Sequence, residues 1–231
     1  MAFRDFTYPK VVQQLGLTVD DRTIPKEVEL LVIRPGFAEL VQQGLEVAVG
    51  ARGVCSEKAK SEFLVAPILL EMRLMTQRAF SIFSGMEVDA HKGKRLNGNC
   101  DFVLTKGGNQ HLRAAPIVGV VEAKNGEWLR EGWGQCMAGM AGAEIRNQRD
   151  GRAISRIFGI VTNGRMWQFM PMMGSRVRID LREISITELP MLFGRFAQLL
   201  GESIGVDSVI SEKPGVVLEA TNSGNSEALL H

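Results

Sequence analysis

Three side chains, two of them neighbours and the third 21 residues upstream, are of types that do chemistry. Glu122 and Lys124 stand two apart in Glu122-Ala123-Lys124, and Asp101 lies upstream in Asn99-Cys100-Asp101-Phe102. The run before Glu122, Ile117-Val118-Gly119-Val120-Val121, is continuously apolar, as in a strand that is covered on both faces and central in its sheet. Strand side chains repeat every two residues, so Glu122 and Lys124 project to the same side. A charge buried alone is costly, and each of these needs a partner, a metal or access to solvent. By spacing alone, the pair equally fits an ordinary salt bridge at a strand end.

Asp101 shifts that balance. It opens the apolar run 100–105, although aspartate is disfavoured in strands. If 100–105 and 116–123 are hairpin partners, the start of one lies opposite the end of the other, and Asp101 meets Glu122. Two carboxylates repel, and a divalent cation is the natural remedy. Mg²⁺ suits the pair because it takes oxygen ligands at roughly 2.0–2.1 Å while keeping several waters, with Mn²⁺ as a substitute. The Ala123 carbonyl is a further ligand candidate. Lys124 can then position an attacking water or assist its deprotonation. Gln135, about two turns into the next helix, can hydrogen-bond Lys124 or a substrate, although taken alone it reads as solvent-facing.

The elements that must hold these residues follow from periodicity. Apolar residues at Phe37, Leu40, Val41, Leu45 and Val49 predict a helix, and a shorter one is expected over 8–17. Ser56 reads as an N-cap with Glu57 in the first turn, opening a long helix to about Phe83 that Ser84-Gly85 ends. Pro67 implies a kink or a break within it. β-like runs follow at 86–90, 100–105 and 116–123, the first two joined by a turn-rich basic linker, 91–99. A helix over 127–147 is rich in small residues that allow close approach to a sheet. Strands are expected at 157–162 and 166–170 around Asn163-Gly164, a strong hairpin signal, and another at 177–181. An amphipathic helix near 186–200 comes last. This is an α/β layered domain, a central mixed sheet flanked by helices. Residues 1–55 read as an N-terminal helical extension, 56–205 as the core, and 206–231 as a poorly ordered tail.

Composition bounds the rest. The chain has 231 residues, 45% hydrophobic, with 27 basic against 26 acidic side chains, so nucleic-acid affinity must come from a local patch. No apolar run reaches the roughly 18 residues a membrane span needs, and the N-terminus has no signal-like stretch. Cys55, Cys100 and Cys136 are odd in number and form no CxxC pair, which excludes a disulfide scaffold and a four-cysteine zinc site. A reducing, cytoplasmic location is expected.

Asp101, Glu122-x-Lys124 after an apolar strand, and Gln135 on the following helix together resemble the PD-(D/E)xK nuclease superfamily, the restriction-endonuclease-like fold. Ser61-Glu62-Phe63-Leu64-Val65-Ala66-Pro67-Ile68-Leu69-Leu70 is similar to the first core helix in the N-terminal nuclease region of type I restriction motor subunits. Val161 to Phe169 resembles that family's post-helix hairpin. The likeness covers about residues 56 to 180, and Cys100 replaces the motif's proline. It implies Mg²⁺-dependent hydrolysis of phosphodiester bonds, with DNA as partner and RNA left open. It also implies a helix glutamate in the acidic cluster. Glu62 is the matching position, and Glu71, on the opposite side of the same helix, competes with it. Any motor would belong to a partner.

Cutting both strands commonly takes two sites, which leaves a homodimer open. A catalytically silent nucleic-acid-binding or assembly module on the same fold is the alternative. Lys92, Lys94 and Arg95 form one candidate phosphate-contact group, and Arg146, Arg149, Arg152 and Arg156 another. Trp128, Trp133 and Trp167 read as packing residues and not as a stacking platform. His91 and His111 lack partners at metal-ligand spacing.

Overall fold

A computed structural model describes residues 2–20, 24, 27–49, 56–91, 96–107, 115–206 and 208–210. Helix α1 (Tyr8–Leu15) ends at Gly16 and leads to strand β1 (Thr18–Asp20). Helix α2 (Phe37–Val49) keeps its expected bounds. Ser56 caps α3 (Glu57–Lys60), its hydroxyl accepting from the Ala59 N–H at 3.0 Å. The helix continues through a π-helical stretch, Ser61–Val65, into α4 (Ala66–Met75). The helical run continues through this widened turn without a break, and Pro67 stands in the first turn of α4, where a missing N–H costs least.

The helix stops eight residues before the expected Phe83. Thr76 bonds its hydroxyl back to the Met72 carbonyl at 2.8 Å, and Gln77 and Arg78 take positive φ of 49° and 61°. Strand β2 (Phe80–His91) starts immediately, because Phe80, Ile82 and Phe83 pair across the sheet with β3 (Leu96–Lys106), and that pairing overrides a helical reading of the same apolar residues. The expected linker is correspondingly shorter, since residues 96–99 belong to β3 and Asp89 pairs with Asn97.

Strand β4 (Ile117–Ala123) is buried along its whole length. Helix α5 (Trp133–Arg149) follows a 3-10 turn (Leu129–Gly132), then β5 (Ile157–Thr162), β6 (Met166–Met173), β7 (Arg176–Arg178), β8 (Ile184–Ser185) and α6 (Leu189–Ile204). The sheet order is β1-β7-β6-β5-β4-β3-β2, with β8 on β6. β4 and β5 are parallel, joined by the α5 crossover, as are β1 and β7, while the other pairs are antiparallel. The molecule is therefore an α/β protein with a mixed sheet between helical layers.

One core, around Val65, Leu69, Phe80, Phe158 and Phe196, lies under α2, α4 and α6; the other, around Phe3, Val103, Val120 and Met140, lies under α1 and α5. The first 55 residues supply more than helices, since β1 joins the sheet and Phe3 is fully buried beneath α5. Cys100 and Cys136 are free and buried. No helix among the described residues is long and apolar enough to cross a membrane. Cys55, Lys92, Lys94, Arg95, His111 and residues 211–231 lie outside the described residues.

Candidate active site

The register of β3 on β4 builds the site. Phe102 pairs with Val121 and Val103 with Val120, and the next step of that antiparallel ladder sets Asp101 opposite Glu122. Asp101 Oδ2 accepts the Ala123 N–H at 2.7 Å, so the aspartate is tied to the backbone of the strand that carries the glutamate. Lys124 leaves the sheet as its N–H donates to the Thr162 carbonyl at 2.8 Å. Its ammonium then turns back, donating to Glu122 Oε1 at 2.6 Å and to Gln135 Oε1 at 3.0 Å. Four side chains from two strands, the turn after β4 and the first turn of α5 thus meet at the carboxyl end of β4. Gln135 faces Lys124 and is only partly exposed, so the solvent-facing alternative does not hold.

Gly132 makes room for this arrangement. A Cβ there would lie 2.6 Å from Val161 Cγ1 and 3.2 Å from Lys124 Cγ. Only a glycine lets the lysine stem pass between the 3-10 turn and β5.

Electrostatics follow from burial. Glu122 is 3% exposed, and its carboxyl is pushed from an ordinary 4.5 up to about 8 by burial and then by the charge of Asp101, against the opposing pull of Lys124. Burial also raises Asp101, outweighing the Ala123 N–H and Lys124. Lys124 is raised: burial alone would lower it, but the charge of Glu122 and its hydrogen bond prevail. Two carboxylates face one ammonium, which leaves one negative charge for a proton or a cation to neutralise. Cys100 and Cys136 are raised chiefly by burial and then by Glu122, and remain thiols, not nucleophiles.

The helix carboxylate acting on this cluster is Glu57. Its charge bears on Asp101, Glu122 and Lys124. Glu62, the position expected from the motif, is exposed and pairs with Lys58 at 3.7 Å. Glu71 is buried on the far side of the helix, where Arg34 donates to both its oxygens at 3.0 and 2.9 Å. The acidic first turn beside Ser56 was the available signal for Glu57, and it is equally explained by the helix dipole. Lys60, from the same turn, donates to the Asn125 carbonyl at 2.9 Å, placing α3 over the loop after Lys124.

The second basic group stands apart from this cluster. Arg146 and Arg149 close the last turn of α5, roughly 16–21 Å along the helix axis from Gln135. Both pair with Asp150, at 3.5 and 3.2 Å, and Arg149 also donates to the Asp89 carbonyl. Arg156 is paired with Glu202.

The tryptophans divide. Trp167 is fully buried, and Trp133 donates to Gln168 Oε1 at 2.6 Å while packing edge-on against Tyr8. Trp128 is 61% exposed, which corrects the expectation that it packs in the core. Beside the site, a cleft of about 750 Å³ is lined by Glu127, Asn163 and Arg165 with Gln42, Glu46 and Thr187. Its two glutamates make it a poor seat for phosphate. Among the described residues, no three His, Cys, Asp or Glu side chains are disposed to hold a metal ion as they stand. No family model, curated protein or solved structure matches the chain.

Proposed function

We propose that this chain is a Mg²⁺-assisted nuclease that hydrolyses phosphodiester bonds of DNA, built on a restriction-endonuclease-like core of the PD-(D/E)xK type. The observation that carries the reading is the meeting of Asp101, Glu122, Lys124 and Gln135 through hydrogen bonds of 2.6 to 3.0 Å at the end of a fully buried strand. A mixed sheet whose parallel β4–β5 pair is bridged by α5 agrees with that core.

The donors fit a hard dication. They are carboxylate oxygens and a carbonyl, and Glu122, raised by burial and then by the charge of Asp101, would gain from a cation there. Asp101, Glu122 and the Ala123 carbonyl would hold the ion, with the charge of Glu57 bearing on them from α3. When bound, Mg²⁺ supplies Lewis acidity toward a phosphoryl oxygen and offsets transition-state charge. Gln135 fixes Lys124 Nζ, whose one remaining N–H can contact the phosphate or orient the attacking water. The chain's own contribution is positioning and electrostatics.

A specific observation favours a second reading. Lys124 Nζ already sits on Glu122 at 2.6 Å, a closed ion pair suited to a nucleic-acid-binding or assembly module that does not cut. Incubating the purified chain with DNA and Mg²⁺ or Mn²⁺ separates the two. The nuclease reading expects metal-dependent cleavage, abolished in Lys124→Ala with the melting profile kept. DNA bound but uncut under all metals selects the second reading. Equal cleavage by Lys124→Ala rejects this site altogether.

A further inference from the structure

Trp128 is the one tryptophan of the three with most of its surface in solvent, and it stands four residues past Lys124, on the loop that joins the site to α5. The Arg130 guanidinium lies over its ring, 5.2 Å from the centroid. The loop has firm neighbours on both sides: Lys60 donates to the Asn125 carbonyl, and Leu129, next to Trp128, is buried. The indole is thus presented from an anchored base, with one face covered by a cation and the rest of the ring open.

We propose that Trp128 and Arg130 form a stacking platform for an unpaired nucleobase next to the phosphate handled at Lys124. This deepens, and rests on, the nuclease reading, and it names the substrate class as a nucleic acid with a single-stranded or extruded base at the site. Four considerations lead there. An open indole face gains most from a flat π-system, and base–aromatic stacking tolerates any base. A base inside a duplex has both faces occupied by its neighbours, so only an unpaired one can use the platform. Arg130 supplies charge for the adjoining phosphate without disturbing the stack, since guanidinium binds an aromatic face and an anion at once. With a net charge of only +1, the chain has little global field to draw in duplex DNA, and stacking supplies affinity that charge does not.

The test uses the full chain in EDTA, so that binding is read without cleavage. Tryptophan emission is followed while a thymidine oligonucleotide, the matching uridine RNA and a blunt DNA duplex are titrated in. The single strand should quench the exposed indole. Trp128→Ala should remove that quench and weaken single-strand binding roughly 5- to 150-fold, with duplex binding changed less than twofold. Trp128→Phe should retain part of the affinity, which rules out a folding defect as the cause. Arg130→Ala should weaken binding and flatten its salt dependence. The DNA and RNA arms show which sugar is accepted.

Single-strand affinity unchanged in Trp128→Ala overturns the platform, as does quenching of Trp128 by the duplex at equal affinity. The two proposals fail separately. Loss of single-strand binding in Trp128→Ala supports the platform even if no metal yields cleavage. Cleavage by wild type together with indifferent binding by Trp128→Ala removes the platform and leaves the nuclease reading standing.

Discussion

Glu122 is the residue whose state is most sensitive to its surroundings. Its carboxyl is raised from 4.5 to about 8, so between these values the native chain holds a proton that the unfolded chain has released. Stability contributed by this group is therefore full below pH 4.5 and is lost as pH rises toward about 8. Urea unfolding at pH 5 to 9 should show wild type losing stability relative to Glu122→Gln over that window, and a pH-independent difference between the two would refute the shift. Added Mg²⁺ should restore stability more at pH 8 than at pH 6, because the proton competes for the same oxygens. Gly132→Ala acts on the neighbour. Its new Cβ collides with Val161 and the Lys124 stem, so cleavage should drop at least tenfold, with destabilisation of roughly 1–3 kcal/mol. Wild-type turnover in that variant would mean that Lys124 does not need this seat. At this scale the sequence was informative. Alternation put Glu122 and Lys124 on one side, and a hairpin register brought Asp101 to them. Trp128 was not legible, because an exposed indole and a packed one have the same sequence neighbours.

The elements explain which helix carboxylate matters. Glu57 and Glu62 are five residues apart, roughly 140° around a helix, so only one can face the sheet end. The capped first turn, held by Ser56 and by the Lys60 contact to Asn125, sets Glu57, exposed as it is, where its charge bears on Asp101 and Glu122. Glu57→Gln should therefore weaken Mg²⁺-dependent cleavage several-fold and raise the metal concentration needed for it. Glu62→Gln, whose charge is spent on an exposed pair with Lys58, should change neither beyond twofold. The reverse ranking, measured in metal titrations of both variants, would restore the motif's position. Element boundaries were the less legible part of the fold. Ala79, Phe80, Ile82 and Phe83 carry apolar side chains that suit either a helix or a strand, and the choice was made by pairing with β3. The same holds for β1, three residues that become a strand only because β7 lies alongside.

On the scale of the molecule, the site depends on how the chain's first residues clamp the α5 layer to the sheet. Phe3 is fully buried between β3 and α5: a Cβ on Gly98 would come within 2.9 Å of its ring and one on Gly142 within 2.7 Å. Gly98 lies three residues before Asp101, and Gly142 seven after Gln135, so this ring touches both elements that bring carboxylate and amide together. Tyr8 and the backbone of Phe6 and Thr7 press on Trp133 and Gly134 at the start of α5, beside Gln135. Phe3→Ala should cost about 3–5 kcal/mol through the cavity it opens, and the loss should not stay local. If α5 is held to β3 by this ring, amides at both ends of α5 should exchange faster with solvent. The cleavage rate should also fall at temperatures well below the lowered melting point, where the chain is still folded. Phe3→Leu, which refills most of the volume, should recover the rate along with the stability. Full activity of Phe3→Ala below its melting point would show that the site is held by the β3–β4 ladder alone, and that the amino-terminal clamp serves stability only.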